Sequence, residues 1–289
     1  MTAACPRGKV RGWTAALLSL LGAASHTTRI ITHHRLGGSL VALLPVLLFG
    51  WAASASAAAT NDPAAGPIPE GRELVQKMLA QQPDENFTNT GTLKIRDATG
   101  KRFSVPVEFD INCSPTDWRQ IYQAFFTNGT ETLTVTHLVP PSSQAPVGAA
   151  AETCVYCPRG GQPRALSPAD ANLPFAGSEF SVADLHLAFL HWPQQTVVKK
   201  EFHRECACMV LESTCPQPAA GGYQRVVSWI DEESLGIVEA YAYDANGQKL
   251  KNFYPKSFEK INGRYQLESM VMENLQTGAR SVFEFVLHK

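Results

Sequence analysis

From Pro83 onward the chain alternates short runs of β-branched and aromatic residues with turn signals, the pattern of strands joined by hairpins. The runs fall at about 88–96, 102–112, 118–126, 131–138, 196–212, 223–231, 235–243, 249–260, 264–274 and 280–287. The clearest turns between them are DATGK at 97–101, TNGT at 127–130, DANGQ at 244–248, NGR at 262–264 and QTGA at 276–279. In the last run Phe283, Phe285 and Leu287 share one face and Val282, Glu284 and Val286 the other, as in a strand whose second face is only partly wet. Two stretches break the period of two. Leu74, Met78 and Leu79 share one side of a helix predicted over about 71–82, where Glu73 and Lys77 pair at i, i+4. GSEFSVADLHLAFLHW, residues 177–192, predicts a second helix, with Ser181 as N-cap and Asp184 completing a capping box. Trp192, Leu185, Phe189, Val182, Leu190 and Leu187 cover most of its circumference and leave Asp184 and His191 in a narrow polar strip. An amphipathic helix needs an apolar stripe of roughly 100°, so this one has apolar area to spare. The βαβ alternation of a parallel sheet is missing. The expected fold class is mainly β (α+β), one antiparallel sheet curled around a few helices.

The first 59 residues differ in kind. They hold Arg7, Lys9, Arg11, Arg29 and Arg35 and no acidic residue, then an apolar run at 40–53 and the small-residue stretch SASAAAT. This is the layout of a secretory signal peptide, with cleavage expected near Ala57–Ala59. The alternative, a membrane anchor, is opposed by the shortness of the run against the ~20 residues of a span, and by Pro45 within it. Residues 60–70, TNDPAAGPIPE, read as a flexible linker, and 71–289 as one folded domain. Without the leader's five basic residues, 20 Lys and Arg face 26 Asp and Glu, about −6 in all. That balance excludes a general nucleic-acid binder, which carries a basic excess.

The Pro-, Ala- and Gly-rich stretch 140–174 interrupts the hairpin series and is expected to be a loop insertion. It contains CVYC, part of a set of six cysteines in the exported portion: Cys113, Cys154, Cys157, Cys206, Cys208 and Cys215. An even number in an exported chain favours disulfides. Cys206 and Cys208 fall on one face of a strand, so one pairing of interest links 154/157 to 206/208. The alternatives are a zinc site using both pairs with His203, whose spacing fits no known ribbon or finger, and a redox CxxC, which lacks a thioredoxin-like context. His137, His186, His191, His203 and His288 are scattered and read as ordinary strand or helix residues. Motifs for a nucleophile elbow, P-loop, dinucleotide fold or zinc protease are all missing. No enzyme activity, metal or cofactor is expected.

Five segments, in this order, carry a family resemblance: FAGSEFSVADL at 175–185, CMVLES at 208–213, YQRVVSWIDEES at 223–234, AYAYDANGQKLK at 240–251 and INGRYQLESMVMEN at 261–274. Together they resemble the outer-membrane lipoprotein-sorting proteins of the LolA/LolB-like superfamily. The resemblance implies an incomplete antiparallel β-barrel of about ten or eleven strands wrapped around a few helices, with an apolar hollow for acyl chains. It implies a periplasmic carrier that shields the acyl chains of lipoproteins or lipids and hands them over to inner- or outer-membrane proteins. An interaction module with the same fold and a filled hollow is the alternative. The Arg-Pro pair with a following aromatic that marks the carriers' second strand is missing; Trp118 and Arg119 are the nearest analogue and are not equated with it. Lining the hollow requires only inward-facing apolar area. The candidates are Trp118, Ile121, Phe125, Leu133, Val135, Phe180, Leu185, Phe189, Leu190, Trp192, Val227, Trp229, Phe283 and Phe285, each of which could equally be plain core.

Overall fold

The computed structural model describes residues 70–83, 85–139, 152–261 and 264–287. The expected leader at 1–59, nearly all of the linker and residues 140–151 of the expected insertion lie outside the described residues.

The period-two runs form thirteen strands: β1 (Phe87–Arg96), β2 (Arg102–Cys113), β3 (Asp117–Phe126), β4 (Gly129–Leu138), β5 (Glu152–Cys157), β6 (Arg164–Ala165), β7 (Gln194–His203), β8 (Cys206–Thr214), β9 (Arg225–Asp231), β10 (Ile237–Tyr243), β11 (Lys249–Ile261), β12 (Arg264–Asn274) and β13 (Arg280–Phe285). They build one antiparallel sheet in the order β6-β5-β4-β3-β2-β1-β13-β12-β11-β10-β9-β8-β7, with β6 and β7 as its two unjoined ends. This is an incomplete barrel. The β1–β13 pairing, Gly91 opposite Phe285 through Arg96 opposite Arg280, joins the chain's two halves in mid-sheet.

The strand count exceeds expectation for two reasons. The run at 196–212 is a hairpin, not one strand: Arg204 and Glu205 turn at φ 46° and 65°. Without Gly or Asn there, nothing in the sequence advertises a tight turn. In addition, the segment read as a loop insertion contributes β5 and β6, with β5 pairing residue for residue with β4.

The helix α1 (Glu70–Leu79) buries Leu74, Val75 and Met78 against the sheet. Gly71 lets it approach β7 closely, since a Cβ there would collide with the backbone of Gln195 and Thr196. Residues 175–192 are not one helix. They form a 3₁₀ turn at Phe175–Gly177, a short helix α2 (Val182–Leu185) and a second 3₁₀ turn at Ala188–His191. The Ser181/Asp184 capping box is present, but Leu187 enters the left-handed region at φ 53° and ends the run. Apolar residues surround this segment because each short piece is re-aimed into the core. Among the described residues, no helix is long and apolar enough to cross a membrane.

Candidate functional site

Residues 175–192 lie against the inner face of the sheet and are pinned there by buried polar groups. Glu131 of β4 accepts from the Ala176 amide at 2.7 Å and from the Tyr156 hydroxyl at 2.9 Å. Tyr122 donates from β3 to the Leu185 carbonyl at 3.1 Å. Burial pushes the Tyr122 hydroxyl far up, with the Glu152 charge adding, so it stays a donor. Gln195, from the start of β7, donates to the Phe189 and Trp192 carbonyls at 2.8 and 3.0 Å, adding to the Trp192 amide on the first and tying the end of the final turn to the sheet. Phe180 packs edge-on against Phe283, ring centres 4.9 Å apart.

Between this segment and the sheet lies a small space of about 30 Å³, bordered by Leu187, Phe189, Val226, Phe253 and Met272 with Asp184 and Lys251. That is room for a water or two. Asp184 does more than cap. Its Oδ2 also accepts from the Tyr223 hydroxyl at 3.1 Å and faces Lys251 Nζ at 3.2 Å.

A larger cavity of about 500 Å³ is bordered by α2 and the turn after it. Its wall includes Leu166, Val182, Ala183, Ala188 and Trp192, the 215–223 loop, and one polar cluster. That cluster is built on Glu152, the first residue of β5. Strand alternation puts Glu152 and Cys154 on one face, and the β4–β5 register sets His137 opposite Glu152. His186 and His191 arrive from the end of α2 and from the following turn. His186 Nδ1 lies 2.7 Å from Glu152 Oε1, His191 Nε2 3.1 Å and His137 Nδ1 3.4 Å from Oε2, and Cys154 Sγ 3.5 Å from Oε1. The last two carboxylate–imidazole approaches lack hydrogen-bond alignment, which leaves Glu152 Oε2 buried without a bonded partner, and the other nitrogen of His137, Nε2, is likewise buried without one. Trp118 stacks on the His137 ring at 3.9 Å.

Burial alone would raise the Glu152 carboxyl; the adjoining His186 and His191 rings outweigh it and hold it well below the usual carboxylate range. Burial pushes the His137 imidazole down to about 4 against the pull of Glu152, with His191 and His186 adding to the drop. Burial, then the Glu152 charge, pushes the Cys154 thiol far up. The cluster therefore presents a carboxylate anion to whatever enters the cavity, with the neutral His137 ring behind it.

Of the fourteen residues predicted to line a hollow, Trp118, Leu133, Val135, Phe180, Leu185, Phe189, Leu190, Phe283 and Phe285 join one inner core, with Trp192 packed at its margin. Phe189 borders the small space and Trp192 the larger cavity. Ile121 and Phe125 are on the opposite face of β3 from Trp118 and Tyr122, and Phe125 is 39% exposed. Val227 and Trp229 likewise face away from Val226 and Ile230, and Trp229 packs over Cys206, Cys208 and Val238. These four are corrected by parity alone, since side chains along a strand alternate between faces.

The proposed cysteine staple is not formed. Among the described residues Cys154, Cys157 and Cys208 are free thiols, as is Cys215. Cys154 and Cys157, three apart on β5, point to opposite faces, and β5 and β8 lie near opposite ends of the strand order. For the same reason the two pairs do not converge with His203, which instead bonds Glu239 at 2.7 Å. The sequence reading missed the cluster of Glu152, His137, His186 and His191. The one available signal was E-x-C at 152–154 opposite His137, and it required recognising 152–157 as a strand.

Comparison with known proteins agrees with this architecture. A DUF1329 family protein from Desulfovibrio piger has a similar structure, with a TM-score of 0.57 and 16% identity over 76% of this chain and 91% of that one. A putative outer membrane lipoprotein-sorting protein domain from Vibrio parahaemolyticus gives 0.57 and 16% over 75% and 91%. A LolA superfamily protein from Nitrosomonas europaea gives 0.50 and 16% over 75% and 91%. No curated protein matches the sequence. A family model described as "Uncharacterized protein" matches residues 129–287, more than half of the chain. The chain thus belongs to that family, and its fold is the one shared with LolA superfamily proteins.

Proposed function

We propose that this protein is an exported, non-enzymatic binding protein of the periplasm that shields one apolar chain, the acyl tail of a lipid or lipoprotein, from water. The observation that carries the reading is the cavity of about 500 Å³ beside α2, walled by Leu166, Val182, Ala183, Ala188 and Trp192. Its size falls in the range of roughly 300–1,000 Å³ typical of ligand sites. Support comes from the basic and apolar leader pattern and from a fold shared with a lipoprotein-sorting domain. Burial supplies ~0.8 kcal/mol per CH₂ removed from water, so no catalytic group is needed. Handover to a membrane-bound partner completes the cycle.

Displacement of a fluorescent fatty acid, with native mass spectrometry of the purified protein, tests this. One chain bound per protein at micromolar concentration or tighter is expected. Ala183→Phe and Ala188→Phe put a ring into the cavity from half-buried wall positions and should weaken binding at least tenfold with the unfolding midpoint kept. Absence of binding at micromolar levels, or binding indifferent to both substitutions, refutes the reading. The small size, about 30 Å³, of the space bordered by Leu187, Phe189 and the sheet favours a second reading, an envelope interaction module, whose signature is a stable protein partner recovered with a lipid-free chain.

A further inference from the structure

Two histidines, a carboxylate and a thiol meet on the wall of the cavity with a third histidine behind them, though β4, β5, α2 and the turn after it are separate stretches of chain. We propose that Glu152, Cys154, His186 and His191 form a binding site for one divalent transition-metal ion of the zinc class, with His137 as the residue that orients Glu152. This site is independent of whether the cavity takes a lipid.

The geometry is close to what such an ion requires. The donor atoms of Glu152, Cys154 and His186 all lie within 4.8 Å of one another. Zinc bonds of about 2.0–2.3 Å in a tetrahedron set donors about 3.3–3.8 Å apart. Around Glu152, His186 at 2.7 Å and Cys154 at 3.5 Å from Oε1 already stand near that spacing, and His191, 3.1 Å from Oε2, swings in from the cavity side to complete the set. Charge also balances: a carboxylate, a thiolate and two neutral imidazoles carry −2 against the ion's +2, with the Cys154 proton leaving to water. The mixed N, O and S donor set suits zinc better than magnesium or calcium, which take oxygen.

Two further features fit a ligand set better than a plain buried ion pair. Glu152 Oε2 has acceptor capacity that no aligned donor uses, although its side chain is only 10% exposed. Behind it His137, 8% exposed and stacked on Trp118, has Nδ1 3.4 Å from Oε2, so a small turn of the carboxylate onto the ion would align it as the outer partner of the ligand. His191 is the most open of the three imidazoles and adjoins the cavity, which gives the ion an entry path.

The test uses the full chain, stripped with a chelator, dialysed and titrated with Zn²⁺ and Co²⁺ by calorimetry and absorption. One ion per chain is expected, with a thiolate-to-cobalt charge-transfer band in the Co²⁺ form. Glu152→Gln and His186→Ala should each weaken binding by a hundredfold or more, and Cys154→Ser should remove the band. His137→Phe should weaken binding about 10–100-fold and leave the band in place. Zinc-edge absorption on the unsubstituted protein supplies a readout that does not depend on variants folding, and should show one sulfur among nitrogen and oxygen donors. No binding, a sulfur-free shell, or affinity unchanged by Glu152→Gln overturns the proposal.

Discussion

Replacing Asp184 by Ala is the sharpest test of how the site is held. A single oxygen, Asp184 Oδ2, accepts from the Ser181 amide at 2.8 Å, the Ser181 hydroxyl at 2.7 Å, the Tyr223 hydroxyl at 3.1 Å and Lys251 Nζ at 3.2 Å. The Asp184 and Lys251 side chains are only 11% and 17% exposed. Loss of the reciprocal half of the capping box, with Ser181 still accepting from the residue-184 amide, costs up to about 1 kcal/mol. Leaving the Tyr223 hydroxyl without its acceptor costs about 1–3 kcal/mol. Breaking a buried pair from one side costs about 3–5 kcal/mol. The contributions share one atom and do not add, so the expected loss is that of the largest, about 3–5 kcal/mol. Urea unfolding followed by tryptophan fluorescence, extrapolated linearly, measures it. Asp184→Asn keeps an acceptor for Ser181 and should lose less. The double variant Asp184→Ala with Lys251→Met removes an ammonium left with only the Glu179 carbonyl, 2.6 Å away, to accept from it, and should recover part of the loss. A single-variant loss below 1 kcal/mol, or a double variant that is simply additive, would show that the carboxylate is solvated and that the segment is held without it.

Two further outcomes follow from the core. Gly71→Ala places a methyl against the Gln195 backbone and should destabilise by about 1–3 kcal/mol, read as earlier proteolysis near α1. Burial, then the Asp231 charge, pushes the Cys208 thiol up to about 12. It should resist a disulfide reagent in the native protein at pH 8 and react on unfolding. Because that folded value lies above the ordinary 9.0, its stabilising contribution is full below pH 9 and is lost as pH rises toward 12. Denaturation midpoints that do not fall over that interval would contradict the burial argument.

The sheet was legible because its signal is local. In β1, β2 and β12 the apolar residues mark the strands to within a residue or so of their ends, and strong turn residues separate them. Legibility failed where the signal is not local. Arg204 and Glu205 make a hairpin turn without turn chemistry, so β7 and β8 read as one run. β5 is recognisable as a strand only through its partner β4, and a Pro- and Ala-rich setting hid it. The wheel for residues 177–192 assumed an unbroken 3.6-residue period, and Leu187 breaks it.

That break also explains why the candidate site was invisible. On a continuous helix, His186 and His191, five positions apart, stand about 140° from one another. The left-handed step at Leu187 turns the following residues back, so both imidazoles reach Glu152 while Leu185 and Leu190 stay in the core. A left-handed conformation is costly for a residue with a Cβ, about 1–2 kcal/mol, and a glycine at 187 would relieve it. Leucine is retained where its side chain is 4% exposed and borders the small space below the segment. The segment is therefore held from its sheet side, by Leu187, Asp184 and Lys251, and its histidines are presented on the cavity side. The apolar surplus of the helical wheel and the scattered histidines are thus two consequences of one backbone step.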